Sequence, residues 1–144
     1  MVAIHLTVGI LLFSLNLLAG VWGVAAWLLR RPSVIFWYLL RGAQVTVVLQ
    51  ALLGGLLLLD NHKAAEDIHY LYGILPIGIA FITEMMRVGA AQKVVGDTEY
   101  DKLPEDDARA LALQIFIAET RVMALGCLII AALALRAGMT SGGL

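Results

Sequence analysis

Apolar residues run almost unbroken through four long stretches of this chain, interrupted by three short polar segments. The first stretch alone holds 24 consecutive uncharged residues, from Leu6 to Leu29. A bilayer span needs about 20 mostly apolar residues, and a strand pattern would alternate with period two. The pattern therefore predicts four helices, at about 3–29, 34–59, 68–91 and 105–136. Arg30-Arg31-Pro32-Ser33 ends the first, because proline cannot simply continue a helix. Asp60–Asp67 supplies the second turn and a polar loop containing Gly96 the third. Pro104-Glu105-Asp106-Asp107 reads as a helix start: proline suits the first turn, and carboxylates suit the positive end of the helix dipole.

Composition sharpens this. Of 144 residues, 61% are hydrophobic and 15% charged, against about 45–50% and about 25% in soluble domains. A water-soluble globule is excluded, and four spans leave no room for a second, aqueous domain. The expected fold is all-α, an integral membrane up-down four-helix bundle occupying residues 1–144 as one domain. Nothing basic precedes the first apolar run, so it reads as a retained span and not a cleaved leader. A lone cysteine, Cys127, gives neither a disulfide framework nor a thiolate metal site. A net charge of −1 argues against nucleic acid as a partner.

Lysine and arginine counts near the span ends predict orientation. Arg30, Arg31, Arg41, Arg87, Lys93, Lys102 and Arg109 fall at one end, seven in all, against Lys63 and Arg136 at the other. Both termini are expected outside, in the inner cell membrane of a bacterium. Trp27, Phe36, Trp37 and Tyr38 would form the inner aromatic belt, Tyr70 and Tyr72 the outer one.

The three histidines share the outer end. His5 opens the first span and His69 the third, and both begin the pattern H-x-x-x-G-I-L, 64 residues apart. These helices run in the same direction, which puts the imidazoles at similar depth. The His5 face also carries Gly9, Leu12, Asn16, Ala19 and Gly23; the His69 face carries Gly73, Pro76, Ala80, Glu84 and Arg87. Small and polar residues of this kind face protein and not lipid. Diagonal helices of a bundle stand very roughly 12–14 Å apart, a gap that holds an iron between two imidazoles. Gly9 and Gly73, one turn below each histidine, would let a flat macrocycle approach the backbone. The expectation is one haem b ligated by His5 and His69, with Thr7, Lys63, Arg136 and the tyrosines available to its propionates.

The four-span layout and these two histidines resemble small b-type membrane cytochromes and, more loosely, one half of haem A synthase-like proteins. They also resemble uncharacterised four-span bacterial membrane proteins with a histidine-tyrosine-glycine motif opening the third span. The cytochrome resemblance implies an electron-transfer or accessory subunit, working with other membrane subunits or as a homo-oligomer. A competing metal set is His5, His62 and His69, with His62, Glu66 and His69 at i, i+4, i+7 if the third helix starts early. Interfacial hydrogen bonding is the structural alternative for His5 and His69, and an aqueous turn bearing charges is the alternative for His62 and Glu66.

Five charges fall inside the spans: Arg41, Glu84, Arg87, Glu119 and Arg121. Each costs at least about 2.5–3.5 kcal/mol at the bilayer centre, so they must face one another or water. With Gln44 they form a candidate polar cluster in the inner half, either a quinone, headgroup or proton site or an ion-pair network fixing helix register. Arg121 lies 200° around the helix from Glu119, toward Gln114, which points to a second polar seam or a partner subunit. No catalytic constellation, phosphate loop or nucleotide fingerprint is present. Two further functional readings stay open: a cofactor-free assembly subunit, and a small channel or transporter protomer using the Glu/Arg cluster. Ala19-x-x-x-Gly23 and Ala51-x-x-x-Gly55 permit close helix contact within or between chains. The acidic loop Asp97–Asp107 is expected to be a solvated connector.

Overall fold

A computed structural model describes residues 1–99 and 102–140. It consists of α1 (Val2–Leu28), α2 (Val34–Leu59), α3 (Ile68–Val95) and α4 (Glu105–Thr140). All four helices are long and apolar enough to cross a membrane. Each boundary has a local cause. Arg30 adopts a positive φ of 52° after α1, and Ser33 caps α2 by accepting the Phe36 N–H. Glu105, Asp106 and Asp107 occupy the first turn of α4. Gly96, with φ 53°, terminates α3.

Two helices run further than their hydrophobic pattern. Past Ala91 α3 meets no breaker before Gly96 and continues to Val95. Past Arg136 α4 continues to Thr140, whose hydroxyl donates to the Arg136 and Ala137 carbonyls. Asp101 of the acidic loop and the Gly/Ser tail from 141 lie outside the described residues.

Consecutive helices are antiparallel, and around the bundle the order is α2, α1, α4, α3. The α1–α2, α1–α4 and α3–α4 seams are densely packed, whereas α2 and α3 touch sparsely. Dense packing depends on absent side chains. A Cβ on Gly23 would lie 2.5 Å from Phe36 Cε2 and 2.7 Å from Ala124 Cβ; one on Gly126 would lie 2.5 Å from Thr83 Cγ2. Ala19 and Gly23 thus serve the inside of the bundle, while Gly55 is exposed with nothing packed on it. Between apolar surroundings such close approach, more than hydrophobic burial, holds helices together.

The interior is layered along the axis. Leu12, Val47 and Ile130 form one cluster, and Ala19, Phe36, Leu40, Met123, Ala124 and Cys127 the next. Phe36 is fully buried in the second cluster, with Trp37 stacked edge-on between it and Phe116. Phe36 therefore fills core and does not sit in an aromatic belt, because the close α1 backbone at Gly23 opens a slot for it, and Trp37 packs half-buried against that core. Tyr38 is 76% exposed.

Candidate functional site

Polar side chains gather at two levels of this apolar bundle, one at the histidine end and one toward the arginine end. At the histidine end all four helices contribute. His5 from α1 and His69 from α3 meet edge-to-face, with ring centroids 6.3 Å apart and planes at 63°. His69 Nδ1 lies 2.9 Å from the Ala137 carbonyl of α4. A carbonyl only accepts, so Nδ1 carries the proton and Nε2 is left with a lone pair. His5 Nε2 lies 3.2 Å from the Gln50 amide nitrogen of α2. His5 Nδ1 and Gln50 Oε1 are both buried without a partner. Turning the amide over lets Gln50 Oε1 accept from His5 Nε2–H, which satisfies the glutamine oxygen and leaves a bare lone pair on His5 Nδ1.

Each imidazole thus has one nitrogen held by the protein and one left over, the arrangement in which outer partners orient metal-ligating histidines. The two rings meet edge to face, and His5 Nδ1 lies buried about 4.0 Å from the Cβ position of Gly54 on α2. Among the described residues no group of three His, Cys, Asp or Glu comes together. Two protein donors are too few for a bare zinc ion, which takes four, but they match an iron whose other donors come from a macrocycle.

The glycines divide. Gly73 has no atom within 4 Å of its Cβ position, leaving that flank of His69 open. Gly9 is no cradle: its Cβ position is 3.0 Å from the Gln50 amide, which reaches across from α2 and fills the space. The His5–His62–His69 metal set is not assembled. Helix α3 begins only at Ile68, leaving Glu66 in the turn, and His62 folds back on its neighbour Asp60 at 3.2 Å. Tyr70 fastens this turn by accepting the Ala64 N–H.

Toward the arginine end five of the six expected cluster residues form one hydrogen-bonded chain. Arg41 Nη1 donates to Gln44 Oε1 at 2.6 Å and to Glu84 Oε1 at 2.7 Å, and Gln44 Nε2 donates to the same carboxylate oxygen at 2.8 Å. Arg87 Nε donates to Glu84 Oε2 and its Nη1 to Glu119 Oε1, both at 2.7 Å. Two guanidinium and two carboxylate groups cancel, and the chain crosses from α2 through α3 to α4. It bridges the seam where α2 and α3 otherwise barely touch.

Arg121 is not in this network. It faces away, as its angle from Glu119 requires, into an open-sided hollow lined by Arg30, Val94, Gln114, Ile117 and Ala118. Two partners escaped sequence reasoning: the Gln50 amide and the Ala137 carbonyl. Gln50 had a signal in hairpin register, because a short α1–α2 turn pairs positions whose numbers sum to about 59, as Gly9 with Gln50 and Gly23 with Phe36. Ala137 had none, since a backbone carbonyl near the end of a helix looks alike in every sequence.

Comparison with protein-family models, curated proteins and solved structures returns no match to this chain.

Proposed function

We infer that this chain is a multi-pass protein of the inner cell membrane, with both termini outside. It binds one haem b between His5 and His69 and works as a small electron-transfer or accessory subunit. The observation carrying this reading is the imidazole pair, 6.3 Å between centroids, each ring with one nitrogen held and one left over. Bilayer residence is supported by four helices of spanning length, and orientation by seven basic residues at one end against two at the other. When bound, haem supplies a one-electron couple whose potential follows its axial ligands and their outer partners. Ala137 and Gln50 orient the two rings, and the open flank at Gly73 gives a planar group its approach. The closed Arg–Glu chain supports a structural over a transport role for the intramembrane charges, since each carboxylate is already engaged by arginine.

Absorption spectroscopy of protein expressed with ample haem tests the assignment. A Soret band with a reducible α band is expected. His5→Ala and His69→Ala should each abolish the low-spin spectrum, and His62→Ala should retain it. A colourless wild-type preparation refutes the reading.

A further inference from the structure

The hollow containing Arg121 has no part in the histidine pair, and its chemistry is distinct. Its volume is about 240 Å³, and two guanidinium groups and one side-chain amide line it with no carboxylate. Among the described residues neither Arg30 nor Arg121 pairs with an acid. This contrasts with Arg41 and Arg87, which are neutralised within their network. Both arginines are exposed at the open side of this hollow, and two like charges sharing it repel unless an anion joins them.

Depth matters too. Gly20 packs on Leu128 and Gly23 on Ala124, which sets Arg30 level with Ile117 and Ala118. Arg121 is then about one turn, roughly 5 Å, further toward the middle of the bundle. Gln114, Ile117, Ala118 and Arg121 share one face of α4. The wall thus presents donors from the end of α1 inward, with the apolar sides of Val94, Ile117 and Ala118 between them. Guanidinium groups match phosphate geometry, and basic pockets between helices at a membrane's cytoplasmic face suit anionic headgroups.

We propose that Arg30, Gln114 and Arg121 form a binding site for a phosphate-bearing anion, the headgroup of an anionic phospholipid whose chain lies along Val94, Ile117 and Ala118. The site is independent of the haem assignment and survives its failure.

The test titrates the full chain in neutral detergent with phosphatidylglycerol, phosphatidylcholine or inorganic phosphate and follows thermal unfolding. Phosphatidylglycerol should raise the unfolding temperature and phosphatidylcholine should not. The half-maximal concentration should rise about tenfold or more in R30Q/R121Q, corresponding to about 1.4 kcal/mol, and stay unchanged in R31Q. Inorganic phosphate acting as strongly as the lipid would identify a free phosphate as the occupant and keep the site. Equal responses of wild type and R30Q/R121Q, or no response to either phosphate source, overturn it. Should the double variant fail to fold, brominated lipids decide on the wild type. Trp22 and Trp27 lie on α1 near Arg30, and brominated phosphatidylglycerol should quench their emission more than brominated phosphatidylcholine. Equal quenching refutes the site.

Discussion

Glu84→Gln should destabilise this protein more than any other single change in its charged network. Glu84 accepts from Arg41, Gln44 and Arg87, and among the described residues its carboxylate makes the side-chain hydrogen bonds that tie α2 to α3. Removing one partner of a fully buried ion pair costs about 3–5 kcal/mol, whereas an exposed pair contributes about 0.2–1 kcal/mol. The side chains of Glu84 and Arg87 are 28% and 24% exposed, nearer the buried limit, and that of Arg41 is 55% exposed, nearer the other. Glutamine keeps one acceptor oxygen but loses the charge that two guanidinium groups share. The expected loss is about 2–3 kcal/mol. Glu119→Gln keeps an acceptor for its single bond from Arg87 and loses only the charge, while Glu84 still neutralises Arg87, so it should cost about 1 kcal/mol. Both are measurable by equilibrium unfolding in mixed micelles with a rising fraction of anionic detergent, followed by tryptophan fluorescence and helical circular dichroism. The reasoning is refuted if Glu119→Gln costs as much as Glu84→Gln, or if Glu84→Gln unfolds with the wild type.

Gly23→Ala should cost about 1–3 kcal/mol through overpacking against Phe36 and Ala124, while Gly55→Ala, with open space around it, should unfold with the wild type in the same assay. Ser33→Ala removes the α2 cap and the acceptor that Trp22 Nε1–H reaches at 2.8 Å; it should cost about 0.5–2 kcal/mol and shift Trp22 emission. On the proposed haem site, Gln50→Leu should alter the absorption and potential without abolishing binding, since it frees His5 from its amide partner; an unchanged spectrum and potential would count against that role.

Helix positions were legible in the sequence because they follow from runs of apolar residues and from breakers that act locally. Faces were legible as well. The 100° step that grouped Leu12, Asn16, Ala19 and Gly23 picks out residues that are indeed buried in α1, and Met123, Gly126 and Ile130 are buried in α4 as Glu119's face implied. The ends of α3 and α4 were less legible, because Gln92-Lys93 and Arg136 interrupt the apolar run without breaking the helix. Phe36 was misplaced in an aromatic belt for a related reason. An aromatic ring near a span end suits headgroups and core alike, and only the close approach of α1 at Gly23 decides between them.

The sequence by itself determined that there are four apolar helices, where they turn, and which few residues break the apolar rule. Those properties depend on each residue and its neighbours within a turn or two. Which exceptions meet was decided only by tertiary structure. Helix seams brought His5 to Gln50 and His69 to Ala137, tied Arg41 to Glu84 and Arg87 to Glu119, and sent Arg121 to join Arg30 instead. Pairing of this kind depends on rotation and register between helices, which the close contacts at Gly20, Gly23 and Gly126 help to set.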